Sequence, residues 1–146
     1  MDKQALIEQT ANSELLQFLG VKIEVAEGDH VVLTMEVTPK VHQYVGIMNG
    51  GVSLFLAETA ASIGVVAGAD LTKVTPVGVE INANHLRAVS RGVLRVEAKP
   101  IYPGRTMSVW GIEITDSRGK LVCISRITLL NQKRQAAVKP GEKGLP

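Results

Sequence analysis

The sequence holds a single cysteine, Cys123, so no internal disulfide can form. That cysteine and three histidines do not gather at any metal-ligand spacing, and neither a metal nor another cofactor is expected. Aromatic residues are scarce, with two phenylalanines, two tyrosines and one tryptophan, and the formal charge of +2 comes from basic residues scattered along the chain. Nucleic-acid binders rely on stacking platforms and basic stripes, so no nucleic-acid partner is expected. There is no internal repeat and no phosphate-binding glycine loop. No leader-like segment opens the chain and cysteine is sparse, which leads to the expectation of a cytoplasmic protein.

What is present is one strongly apolar stretch, residues 46–69. It reads as a glycine-marked turn followed by a helix with almost no polar face, and a helix of that kind is usually buried. From Gly50 to Ala69 the one charged residue is Glu58. A carboxylate among Leu54, Phe55, Leu56, Ile63, Val65 and Val66 is costly unless it is paired, neutralised or used. Helix glutamates are most often solvated surface groups; these neighbours weigh against that and make Glu58 the first candidate for chemistry. A stretch of ~20 apolar residues could also cross a bilayer. Glu58 is central to it and no Lys/Arg cluster flanks it, so no membrane partner is expected.

The start of this helix adds a second element. Asn49 is a strong N-cap type, and Gly50 and Gly51 after it are expected to leave the first amide N–H groups uncovered. Taken alone, a glycine pair there is most often a plain cap. A helix N-terminus nevertheless offers free donors and the positive end of the dipole, which can polarise a carbonyl oxygen. Gly50 and Glu58 lie eight residues apart, roughly 12 Å along a helix axis, too far for one ester or thioester carbon to touch both. Two antiparallel copies of the helix would bring the N-terminus of one to Glu58 of the other. The expectation is a two-fold homodimer with two shared sites.

At 146 residues the chain is read as one domain over residues 1–131, with a basic, disordered tail over 132–146. Residues 2–19 read as helix, broken near Asn12 and Ser13 and stopped at Gly20. Alternation over 21–25 and 31–37 about Gly28 reads as a hairpin. The loop over 40–48 carries His42, which reads as a surface histidine rather than a general base, and Gln43, an amide able to donate to a carbonyl. Strands are expected over 76–87, 92–101, 107–115 and 120–130, the last three as an antiparallel meander. Cys123 falls in a strand pattern and reads as packing. The end of the first of these strands gathers Asn82, Asn84, His85 and Arg87. They suit a phosphate-bearing ligand, and equally an ordinary solvated strand end. The fold class is α+β, an antiparallel sheet curled round a long central helix.

With those residues in hand, the chain resembles the hotdog-fold acyl-CoA thioesterases. It is most similar to the branch that uses a helix carboxylate on aromatic thioesters such as 4-hydroxybenzoyl-CoA and 1,4-dihydroxy-2-naphthoyl-CoA. The resemblance runs over 16–130 and is most specific over 43–62 and 78–87. It implies that Gln43 assists the carbonyl, that the Gly50 N–H polarises it, with Gly51 beside it, and that Glu58 is the catalytic carboxylate. Ser62, one turn later, would place the water. Asn84, His85 and Arg87 would bind the CoA end. Where the family has His-Gly-Gly, this chain has Asn49-Gly50-Gly51, and Asn49 can cap and donate but cannot titrate near neutral pH. The resemblance further implies a homodimer, paired into a homotetramer, and an acyl-CoA substrate of which CoA is a part rather than a cofactor. A non-catalytic acyl-CoA binding or sensing module on the same fold is the alternative that Asn49 favours. A hydratase would want a histidine paired with its acid, and none stands at the helix start in the sequence.

Overall fold

The computed structural model describes residues 2–134. The chain opens with two short helices, α1 (Lys3–Ala11) and α2 (Glu14–Leu19), followed by strands β1 (Lys22–Ala26) and β2 (Val31–Val37). The long helix α3 (Gly50–Gly68) comes next, then β3 (Val74–His85), β4 (Gly92–Pro103), β5 (Met107–Thr115) and β6 (Leu121–Lys133). The break after α1 lies where the sequence puts it: Asn12 ends α1, and the Ser13 hydroxyl accepts from the Leu16 N–H to start α2. Gly20 then takes the left-handed conformation, φ 71°, that ends α2.

All six strands form one antiparallel sheet in the order β1-β2-β4-β5-β6-β3. β4, β5 and β6 are the expected meander. β3 precedes them in sequence yet pairs with β6 at the far edge. The chain must therefore travel from the second strand position to the last, about 19 Å at strand spacing. The 19 residues of α3 make that crossing, with a reach of about 28 Å.

This crossing determines which residues of α3 are buried. Leu56, Ala57, Ala60, Ala61, Ile63 and Val65 face the sheet and meet Leu33, Met35, Leu94, Val96, Ala98, Ile112, Ile114, Ile127 and Leu129. Small residues let the helix lie close. At Gly64 any side chain would collide with the Trp110 indole. The β1–β2 turn closes against the helix end, where a Cβ on Gly28 would come within 2.9 Å of the Gly68 Cα. By length and apolarity α3 could span a membrane, but its apolar side is the core of this sheet.

Two expectations change. β6 continues through Lys133, because Gln132 and Lys133 pair with Thr75 and Val74, so the domain runs past residue 131 and the first two residues assigned to the tail are strand. The rest of that assignment lies outside the described residues. β4 also runs on past the strand end expected at 101, through Tyr102 and Pro103, which pair with Val109 and Ser108 beyond a bulge.

Candidate active site

The path into α3 is fixed by backbone bonds. Gln43 N–H donates to the Ile47 carbonyl at 2.8 Å, and Gly46, at φ 76°, donates back to Gln43 at 2.9 Å. The Asn49 N–H then donates to the Val41 carbonyl and the Met48 N–H to the Val89 carbonyl, each at 2.8 Å. His42 donates through Nε2–H to the Ser90 carbonyl at 2.9 Å, a loop tie rather than a poised base. The Gln43 side chain is half-buried and makes no hydrogen bond among the described residues.

At the helix start Asn49 Oδ1 accepts from the Gly51 N–H at 2.8 Å. This alters the expectation that both glycine amides are free: the Gly51 amide is occupied by the cap. The Gly50 N–H has no acceptor among the described residues, and it sits at the positive end of the helix dipole. Against it lies the His85 imidazole, whose Nε2 is 2.9 Å from where a Cβ on Gly50 would stand. A side chain at 50 would evict that ring. The sequence lacks a neighbouring histidine at the helix start, but the fold supplies one from the end of β3. His85 therefore stands at the N-terminal end of α3, beside the open Gly50 N–H.

Glu58 departs from expectation. It is exposed in the single chain, with no hydrogen bond or ion pair among the described residues. The physical reason is the helix's placement. The sheet covers one side of α3, and Glu58 lies on another, reaching toward the edge strand, where its Oε1 is 2.5 Å from the place a Cβ on Gly78 would occupy. Thr59 and Ser62 beside it are half-buried, and Ser62, four residues on, shares its helix face.

β3 thus carries two contacts of the candidate site, Gly78 under Glu58 and His85 over Gly50. It does not bring Asn84. Ile81 and Ala83 pack on the core, and pairing with β6 is regular from Glu80 to His85. Strand alternation therefore turns Asn84 to the opposite face, with Asn82, whose amide donates to Glu80. Arg87 lies just past β3, exposed, held by its N–H to the Val122 carbonyl at 3.2 Å. Cys123 is buried, and burial pushes its thiol up, as suits a packing residue. Among the described residues no group of three His, Cys, Asp or Glu side chains could hold a metal ion. Gly78 is the site residue that sequence reasoning missed, although a glycine inside a strand is itself a sign of close approach.

The profile described as Thioesterase superfamily matches residues 45–123, which takes in the Gly50 turn, all of α3 and β3. A 1,4-dihydroxy-2-naphthoyl-CoA hydrolase of Listeria monocytogenes is 42% identical over 121 residues, covering 83% of this chain and 98% of its own. One of the same name from Escherichia coli is 41% identical over 116 residues, covering 78% and 83%. The crystal structure of a mutant thioesterase from Pseudomonas aeruginosa superposes with a TM-score of 0.83 at 32% identity, covering 92% of this chain and 96% of that one. A helix start with an open Gly50 N–H, a carboxylate two turns along and this sheet order accompany those matches: the chain belongs to the thioesterase superfamily, and it is a thioester hydrolase on the hotdog fold.

Proposed function

We propose that the protein hydrolyses an aromatic acyl-CoA thioester to the free acid and CoA, in sites shared by two copies of the chain. The observation that carries this reading is the pair along β3: an unpartnered Gly50 N–H under His85 at one end, and an exposed Glu58 over Gly78 nearer the other. β3 is an edge strand of 12 residues with one backbone edge unpaired among the described residues. Exposed edges invite pairing. Antiparallel pairing of β3 with itself, centred on Asn82 and with the bulged Val79 passed over, would set residue 78 of one copy opposite residue 85 of the other. The Gly50 end of each helix would then face Glu58 of the partner subunit, which would also cover that carboxylate. Exposed apolar side chains on the outer sheet face, Val93, Ile101 and Ile124, support a second pairing, of dimers into a tetramer.

In this reading the thioester carbonyl accepts a hydrogen bond from the Gly50 N–H, and Gln43 assists. Negative charge on that oxygen grows as the carbon becomes tetrahedral, so the helix dipole helps most in the transition state. Glu58 either attacks the carbon or takes a proton from a water held by Ser62. The C–S bond breaks, CoA leaves as the thiolate, and water supplies the hydroxyl of the acid and the proton of the thiol. Asn49 holds the helix start in place. Arg87 reaches for the phosphates of CoA. The aromatic class is supported by the names of the Listeria and Escherichia relatives.

The test is thiol release from a panel of acyl-CoAs, aromatic and aliphatic. Aromatic esters should give the highest kcat/KM, and Glu58→Gln should lower kcat by about 10³-fold on the best of them. A preference for medium-chain esters would overturn the substrate class. Wild-type turnover in Glu58→Gln would overturn the site.

A further inference from the structure

We propose that Gly78 is a positioning residue for Glu58: its missing side chain is the space in which the Glu58 carboxylate lies across the edge strand. The inference rests on the proposed catalytic role of Glu58. A glycine inside a strand weakens it and calls for a reason. Backbone conformation is not that reason, since Gly20, Gly46, Gly92 and Gly119 have positive φ and Gly78 does not. Space is. A Cβ at 78 would stand 2.5 Å from Glu58 Oε1 and 3.5 Å from its Cδ, with Ile127 Cδ1 next at 3.7 Å, an ordinary contact. Glu58 alone is in the way.

The strand is also shaped here. Its ladder with β6 slips between Gly78, opposite Leu129, and Glu80, opposite Thr128, so Val79 is an extra residue and stands 56% exposed. Bulges of this kind bend a strand and re-aim what lies beside it. The slip and the bare Cα together form a shallow seat at the strand edge, directly under the carboxylate.

The colliding atom is the free end of a flexible side chain. An added methyl group can therefore be met by swinging the carboxylate aside, with no movement of helix or sheet. The fold tolerates the change and the acid does not keep its place. Misplacement of a reacting group by about 1 Å can cost about 10²-fold in rate.

The experiment is a double-mutant cycle on one acyl-CoA that the wild type hydrolyses, with thermal unfolding of each protein. Gly78→Ala should melt with the wild type, keep its KM, and lose about 10- to 100-fold in kcat. In a Glu58→Gln background Gly78→Ala should change the residual rate little, because the group it displaces is already disabled. A wild-type kcat in Gly78→Ala, or the same proportional loss in both backgrounds, would overturn the proposal while leaving Glu58 in its role. Wild-type kcat in Glu58→Gln would remove the catalytic role and this inference with it. Should Gly78→Ala melt early, Glu58→Ala added to it must restore the melting temperature; failure to do so means the methyl group meets something else, and the proposal falls.

Discussion

Asn49 shows how one side chain can answer two demands at a helix start. Its Oδ1 takes the Gly51 N–H, which closes the helix, and leaves open the Gly50 N–H, where the proposed function puts the thioester oxygen. That is a task of geometry, and it needs no titrating group. At the same scale Glu97 offers a test by pH. On the outer sheet face its Oε1 lies 2.7 Å from His30 Nε2, 3.2 Å from Lys99 Nζ and 3.6 Å from an Arg95 guanidinium nitrogen. Hydrogen bonds from His30 and then Lys99 hold its carboxyl below the ordinary 4.5, against the opposing effect of partial burial. A depressed folded value means that the stabilisation is fully present above the unfolded one and is lost as pH falls through the folded one. The wild type should melt above Glu97→Gln at pH above 4.5, and the gap should close on further acidification. A gap that does not depend on pH would contradict this. Single residues were also where reading from sequence went furthest and fell short. Glu58 and Gly50 stand out by type and spacing. His85 over Gly50, and Gly78 under Glu58, depend on where β3 ends up after a crossover, which no local pattern records.

At the scale of elements, α3 and the four strands after the hairpin were legible because period and turn chemistry agree in each. What was not legible is which side of α3 the sheet leaves open. The helix is apolar nearly all round, so composition cannot orient it, and Glu58 reads as sealed when in one chain it is exposed. Strand alternation likewise separates Asn84 from His85, although the two are adjacent in sequence. The close packing of α3 on β5 has a direct test. Gly64 lies where any Cβ would enter the Trp110 ring, and Trp110 is 2% exposed. Alanine favours helix by about 1 kcal/mol over glycine. Overpacking against a rigid, buried indole costs about 1–3 kcal/mol or more, so Gly64→Ala should be destabilising overall. Denaturant unfolding at equilibrium measures it; an equal or higher midpoint would mean the helix can move away from the sheet.

At the scale of the molecule, the crossover from β2 to the far edge sets the contacts of both proposed groups along one strand. β3 ends at His85 beside the start of α3 and passes Gly78 beside Glu58, so both halves of the proposed chemistry lie on the edge that a second copy would pair with. The proposed site is therefore a property of two chains. Its most direct test mixes two defective proteins. Glu58→Gln removes the acid. Gly50→Pro removes the amide proton, and displaces the His85 ring of the same half-site, at a helix position that accepts proline, behind an Asn49 already extended at ψ 131°. Each alone should be nearly inactive. Co-expressed, half of the dimers should be mixed, and each mixed dimer should hold one intact shared site, so about a quarter of wild-type activity should return. Activity no higher than that of the two parents, in a preparation that contains mixed dimers, would mean that each site is built from a single chain.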